Sequence, residues 1–319
     1  MRHLYFVLMG TITIAALISG ARASGFPVTI ESCGQSLTFN SPPQRAVVHD
    51  LNMAEIMFAL ELQLRLVGLT GITGWYKTTP EFDRARGDLP ELASKNPTVE
   101  NLLSANPDFF FAGWYYGMNP GGEVTPKTLA AFNIPVYVLS ESCIHINKDR
   151  PDVSLETLYA DVRNIGAIFG IMEKAQALIE GWKARVARIK AITDQQKRVR
   201  VFLYDSGDEK PFTAGRFAMP TALIEAAGGI NIMQDVEMSW GNVGWELVGV
   251  RNPEFIILLD YGDGGQDLKN LLEAHPLMSE TDAVKHRRYL LLKYGEITPG
   301  PANIEAIEKL AKAYRLNGS

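Results

Sequence analysis

Aromatic side chains follow the predicted buried strands of this sequence, at the places where a bound molecule would meet them. Ligands of open parallel sheets bind beyond the carboxyl ends of the strands, and aromatic rings supply a large contact area at low entropic cost. The pattern predicts a cleft for a large, flat or hydrophobic ligand. The candidate contacts are Trp75, Tyr76, Trp114, Tyr115, Tyr116, Tyr204, Arg216, Trp240, Tyr261 and Tyr294.

Metal ligation by the protein has a few isolated candidates. His49 and His145 could serve as axial ligands, and Tyr115 or Tyr116 could hold haem iron as a phenolate. A single histidine is more often a structural residue, and the sequence has no dense His/Cys/Asp cluster, nucleophile elbow or phosphate-binding glycine loop. We therefore expect a binding protein and not an enzyme, with no resident metal or cofactor.

One segment occurs twice, with a glutamate at the same offset before Asn-Pro. The first copy begins at Glu100 and the second at Glu246, and each continues as an acidic residue followed by an apolar strand. The step before proline disfavours the α region, which predicts a short helix that ends there. Both glutamates should lie exposed on one surface, one per half of the chain. Each could also be a residue that only favours the helix dipole.

The remaining elements alternate between short apolar runs and helical patterns, which is typical of parallel sheets with crossover helices. The predicted strands are 46–48, 66–69, 108–112, 136–139, 199–204, 255–259 and 289–292, and a hairpin is predicted over 28–39. Two helical patterns, 154–168 and 172–195, lie between the halves, with Gly170 as the break. The second is long enough to join two lobes, and a rigid connection of this kind predicts little relative motion.

The N-terminal residues, the two cysteines and the net charge indicate where the protein is located, how its cysteines are paired and which partner is excluded. Residues 1–23 have a positive start, an apolar run and the small-residue site Ala21-Arg22-Ala23, which predicts a cleaved signal peptide; a membrane anchor is the alternative. Cys33 and Cys143 are the two cysteines, and export favours a disulfide over two free thiols. The net charge of -5 argues against nucleic acid.

Several segments together resemble the vitamin B12 and ferric-siderophore binding proteins of ABC importers. They span both halves of the chain in the right order: Pro43 to Val48, Glu100 to Trp114, Phe212 to Arg216, Ala226 to Asn231, Trp240 to Glu246 and Thr298 to Pro301. Ala302 and Asn303 stand where the family often has an arginine. The resemblance implies an α/β fold of two lobes, with parallel sheets flanked by helices and a single long connecting helix, as in class III periplasmic binding proteins.

The resemblance also implies a function and partners. We expect a monomer in the periplasm that delivers its ligand to an ABC permease and its ATPase, with Glu100 and Glu246 docking on the permease. A ferric siderophore is favoured as the ligand, with Lys77, Arg216 and Lys293 as cations in the cleft. Cobalamin and haem are the alternatives, and a chelatase-like enzyme or a periplasmic sensor is a more distant one. The expected domains are a lobe over 24–153, a helical segment over 154–197 and a lobe over 198–319.

Overall fold

The structure is a computed structural model that describes residues 25–75, 78–262 and 264–316. The predicted signal peptide, Tyr76 and Lys77 lie outside these residues. The strands are β1 Val28–Ser32, β2 Gln35–Phe39, β3 Ala46–His49, β4 Leu66–Thr70, β5 Glu91–Ala93, β6 Phe109–Trp114, β7 Gly117–Met118, β8 Val136–Val138, β9 Val199–Tyr204, β10 Phe212–Ala214, β11 Gly229–Asn231, β12 Trp240–Asn242, β13 Phe255–Asp260 and β14 Tyr289–Lys293. The helices are α1 Leu51–Ala59, α2 Pro80–Arg86, α3 Val99–Ser104, α4 Pro126–Ala130, α5 Leu155–Ile168, α6 Met172–Thr193, α7 Met219–Ala226, α8 Trp245–Arg251, α9 Gln266–Ala274, α10 Asp282–Lys285, α11 Tyr294–Ile297 and α12 Asn303–Leu316.

The first lobe is built on a parallel sheet. Its strands run in the order β5-β4-β3-β6, and both β7 and β8 pair with β6 in parallel. The apolar residues of β3 and β6 are buried on both faces of the sheet, as expected for strands covered by helices. The carboxyl ends of these strands therefore share one edge, which leads into the loops that carry the candidate ligand contacts.

The second lobe repeats this arrangement with fewer strands. Its sheet has the order β11-β9-β13-β14, and all three pairings are parallel. A separate antiparallel pair, β10 with β12, lies beyond the end of β9. The predicted α/β fold with two parallel sheets flanked by helices is confirmed.

Helices α5 and α6 connect the two sheets. The helical pattern breaks at Gly170, whose φ of +69° favours glycine, and α6 then continues for 22 residues. Apolar side chains of this connection belong to one continuous core that includes one face of each sheet. Its members include Phe109, Phe111, Ile165, Ile179, Leu203, Leu223 and Ile307. Among the described residues, no helix has both the length and the apolar character required to cross a membrane.

The N-terminal hairpin is attached covalently to the first lobe. Strands β1 and β2 pair as predicted, and Cys33 in their turn forms a disulfide with Cys143, with Cα atoms 5.2 Å apart. The Ser32 hydroxyl adds a hydrogen bond by accepting from the Val138 amide at 2.9 Å. The predicted disulfide is thus present, and both of its cysteines lie in the first half of the chain.

Candidate ligand-binding site

A cavity of about 730 Å³ lies between the two lobes, where the carboxyl ends of the two sheets face each other. Its wall is dominated by rings, and no lysine or arginine of the described residues lines it. The lining residues are Tyr115, Tyr116, His145, Asp205, Ser206, Phe212, Trp240, Tyr261, Tyr294, Ile297 and Thr298. The structure therefore brings together five of the ten predicted contacts: Tyr115, Tyr116, Trp240, Tyr261 and Tyr294.

Each ring in the cavity is held by the end of a strand or by the turn that follows it. Tyr115 comes directly after β6, in a turn where its φ is +63°. Trp240 begins β12, and its ring stacks on that of Phe212 in the paired strand β10, with centroids 6.0 Å apart. Tyr294 begins α11 directly after β14. The aromatic wall is thus fixed by the ends of the sheets.

Three of the tyrosines donate hydrogen bonds to carboxylates at the base of the cavity. The donor-acceptor distances are 2.8 Å for Tyr294 to Asp50, 3.0 Å for Tyr261 to Asp205 and 3.3 Å for Tyr116 to Glu141. Burial, together with these negative neighbours, raises the pKa of all three phenols above the ordinary value. The phenols therefore stay protonated and act as hydrogen-bond donors to these carboxylates.

Glu141 lies behind the cavity wall and forms hydrogen bonds to residues of both lobes. It lies in the turn after β8 and is 4% exposed, and its Oε2 accepts from the Met219 amide of α7 at 2.7 Å. Burial raises the Glu141 pKa to about 7, although the hydrogen bond from Met219 and the interactions with Trp240 and Tyr116 oppose this rise. A carboxyl group that changes charge near neutrality thus lies behind the ligand cavity.

His145 and Tyr115 lie side by side in the cavity wall. Their rings meet edge to face with centroids 4.5 Å apart, and the Tyr115 ring is 62% exposed. Burial lowers the pKa of His145, so its imidazole is neutral at neutral pH. These two are the residues that could approach a metal carried by a ligand.

A second cavity of about 550 Å³ adjoins the first and shares His145 and Trp240 as walls. We call it the side cavity; it is lined by Ile144, His145, Lys148, Arg150, Asp152, Arg216, Phe217, Glu237, Met238, Ser239 and Trp240. Arg216 lies here and not in the aromatic cavity. Its Nε is 2.6 Å from Asp152 Oδ1, and its Nη1 is 3.8 Å from Glu237 Oε1. The predicted cation is therefore near the ligand cavity but already paired.

Two predicted contacts, Trp114 and Tyr204, point away from the aromatic cavity. Side chains alternate along a strand, and Trp114 lies on the face of β6 that packs against α3 and the disulfide region. Tyr204 lies on the face of β9 that packs against Trp245, and its hydroxyl donates to the Gly207 carbonyl. Both side chains are therefore part of the lobe cores.

The other candidates are spread around the site. Trp75 lies in a turn at 73–75, with Lys95 Nζ 5.0 Å from its ring centroid, and does not line either cavity. His49 is 1% exposed and bonds Thr70 Oγ1 through Nδ1 at 2.8 Å, with Gly71 and Gly117 packed against its ring. Lys293 is exposed and lines neither cavity.

Five lining residues are not among the candidate contacts or metal ligands named from the sequence: Asp205, Ser206, Phe212, Ile297 and Thr298. Phe212 and Thr298 each begin a segment that carries the family resemblance, so position in those segments was the available signal. Asn303, which follows the last of these segments, has a structural role. Its side chain accepts from the Gly300 amide and donates to the carbonyls of Glu296 and Thr298.

The repeated segment is repeated in structure as well. In the first copy Arg45 donates to the Asn106 carbonyl and Asp108 accepts from the Arg45 amide; in the second Arg200 donates to the Asn252 carbonyl and Glu254 accepts from the Arg200 amide. Each asparagine has a positive φ.

These bonds attach α3 and α8 to the neighbouring strands in the same way. Glu100 and Glu246 take no part in this attachment, lie exposed in the first turns of α3 and α8, and do not line either cavity.

Similarity to known proteins adds to this geometry. A family model described as periplasmic binding protein matches residues 47–294. A cobalamin-binding protein of Halobacterium salinarum is 26% identical over 300 residues, covering 92% of this chain and 75% of that protein. A periplasmic binding protein of Veillonella parvula has a similar structure, with a TM-score of 0.78, 27% identity and coverage of 90% and 96% of the two chains. A structure from Saccharomonospora viridis, described as an ABC-type Fe3+-hydroxamate transport system, has a TM-score of 0.76 at 22% identity, with 91% and 99% covered.

Proposed function

Because the chain belongs to the periplasmic binding protein family, we propose that it captures a corrinoid of the cobalamin type and delivers it to an ABC permease. The prediction of a binding protein and not an enzyme is confirmed by this membership. Delivery to a permease and its ATPase, a monomeric state and location in the periplasm are parts of the same proposal. The predicted signal peptide at residues 1–23 supports the location.

The observation that carries the corrinoid assignment is the chemistry of the aromatic cavity. A corrin ring is large and flat, carries neutral amide side chains and holds a cobalt ion that gives the ring a positive charge. The cavity offers rings for stacking and, among the described lining residues, no lysine or arginine. The cobalamin-binding relative supports the same ligand class.

A ferric siderophore is the second candidate. It was favoured from the sequence, and the observation that supports it is the group of cations Lys148, Arg150 and Arg216 in the side cavity. Haem would need an axial ligand, for which Tyr115 and His145 are the available residues. The aromatic cavity itself supports the corrinoid more strongly, because its rings suit a large flat ligand and no lysine or arginine of the described residues lines it to meet the anionic groups of a siderophore.

Equilibrium titration of the purified protein with cyanocobalamin, a ferric hydroxamate and haemin tests the assignment. We expect saturable binding of cyanocobalamin that Trp240→Ala weakens roughly thirtyfold or more, because truncating a central aromatic contact costs about 2 kcal/mol or more. The control is Phe132→Ala, which removes an exposed ring outside both cavities. Tight binding of the hydroxamate or haemin without cyanocobalamin binding would refute the corrinoid assignment.

A further inference from the structure

The side cavity differs from the aromatic cavity in charge, although the two are adjacent. Trp240 and His145 line both, which places the two spaces directly next to each other. The remaining walls come from residues 144–152 of the first lobe and from residues 216–217 and 237–239 of the second. The side cavity is thus a second compartment of the cleft between the lobes.

The acidic residues of the side cavity are already occupied. Both of them, Asp152 and Glu237, are paired with Arg216. Lys148 and Arg150 form no ion pair with any residue that the structure describes. The compartment therefore presents two cations that are not held in an ion pair, although Arg150 also acts over a longer distance on the buried Asp161, and this favours an anionic ligand group.

A buried hydroxyl points to the same conclusion. Ser239 is 5% exposed and lines the side cavity, and its Oγ has no hydrogen-bond partner among the described residues. Leaving a buried polar group unsatisfied is unfavourable, and an acceptor oxygen from a ligand would satisfy it.

We infer that the side cavity binds an anionic arm of the ligand whose flat part occupies the aromatic cavity. For a corrinoid this arm is the phosphodiester of the nucleotide loop, and the inference rests on the proposed function to that extent. Lys148 and Arg150 supply the charge and Ser239 donates a hydrogen bond to a phosphate oxygen. The side cavity thereby distinguishes complete cobalamins from corrinoids that lack the loop.

Cyanocobalamin and cobinamide form the matched pair of ligands for a test, because cobinamide retains the corrin ring but lacks the phosphodiester. We expect the wild type to bind cyanocobalamin more tightly than cobinamide. The double variant Lys148→Ala/Arg150→Ala should lose about tenfold or more in cyanocobalamin affinity and keep its cobinamide affinity. Ser239→Ala should act in the same direction. Lys312→Ala, which removes an exposed cation on α12, is the matched control.

The outcomes separate this inference from the proposed function. If neither corrinoid binds to the wild type, the proposed function fails. If both bind and the double variant weakens them equally, or weakens neither, the side cavity does not hold the phosphodiester. Inorganic phosphate should compete weakly with cyanocobalamin and not with cobinamide. The binding free energy of inorganic phosphate can be compared with the difference between the binding free energies of cyanocobalamin and cobinamide. If phosphate alone binds with more free energy than this difference, the compartment is a site for free phosphate and the inference is overturned.

Discussion

Glu141 of the first lobe accepts a hydrogen bond from the Met219 amide of the second lobe, at 2.7 Å and out of contact with solvent. Two further hydrogen bonds cross between the lobes close to the cavity: the Tyr294 hydroxyl donates to Asp50 at 2.8 Å, and the Asn52 side-chain amide donates to the Pro299 carbonyl at 2.9 Å. The cleft is therefore bounded by bonds at its base. One of them depends on a carboxyl group that titrates near neutral pH.

Stability should fall as the pH rises through the range in which Glu141 ionises. Its pKa is raised from 4.5 to about 7 in the folded protein, so the native state binds more protons than the unfolded state between these values. Glu55, buried beside Asp50 and Glu296, has a pKa raised to about 7 and acts in the same direction. The unfolding free energy of the wild type should fall between pH 4.5 and 7, and Glu141→Gln should make this fall smaller by roughly 3 kcal/mol. Urea unfolding across that pH range measures both.

The matched control for this prediction is Glu123→Gln, which alters an exposed carboxylate. It should leave the pH dependence of the wild type unchanged. If Glu141→Gln also leaves the slope unchanged, Glu141 does not titrate with the raised pKa.

The disulfide between Cys33 and Cys143 should contribute strongly to stability. The two residues are 110 apart in sequence, and closing a loop of this size in the unfolded chain contributes about 5 kcal/mol in the chain-entropy model. Replacing both residues by alanine should lower the unfolding free energy by up to that amount. Adding a reductant should have a similar effect on the wild type and none on the variant. A reductant effect on the alanine variant would assign the loss to another cause.

Reversing the charge of Glu100 and Glu246 should separate transport from ligand binding. Both side chains are exposed on equivalent short helices and outside both cavities, and complementary charges steer and orient a partner. The double variant Glu100→Lys/Glu246→Lys should abolish cobalamin uptake by cells while its affinity in solution stays within about twofold of the wild type. Glu123→Lys/Glu173→Lys, which reverses two other exposed glutamates, should support normal uptake. A weakened affinity of the first variant would place these residues at the ligand.

Ligand binding should change the shape of the molecule very little. Helix α6 is a continuous 22-residue connection, and hinge closure requires a few residues that absorb large backbone rotations. Small-angle scattering of the wild type with and without cyanocobalamin should give radii of gyration that agree within error. A clear contraction on binding would show that the lobes close through the loops on either side of α6.

The regular elements could be predicted from the sequence because they depend on local patterns. The runs at 199–204 and 255–259 became β9 and β13, and the break at Gly170 was correctly placed. The repeated glutamate segments also formed the expected short helices, since the Asn-Pro step that ends each one is a local signal.

Side-chain direction at the strand ends explains why some site residues were misplaced. Position after a strand was treated as sufficient for ligand contact, but alternation along β6 and β9 places Trp114 and Tyr204 on core-facing sides. The side cavity could not be predicted at all, because it depends on residues near 150 and near 216 that are distant in sequence. Only the packing of the two lobes brings Arg150 and Ser239 to one compartment.

The continuous core that passes from one sheet through α5 and α6 to the other has a consequence for how the molecule unfolds. Neither lobe buries its inner face alone, since Ile179 of α6 and Ile307 of α12 belong to the same buried cluster as residues of both sheets. A fragment cut within α6 would expose that surface to water. The two lobes should therefore melt together in a single calorimetric transition, as one cooperative unit, although chains with two lobes commonly unfold in steps.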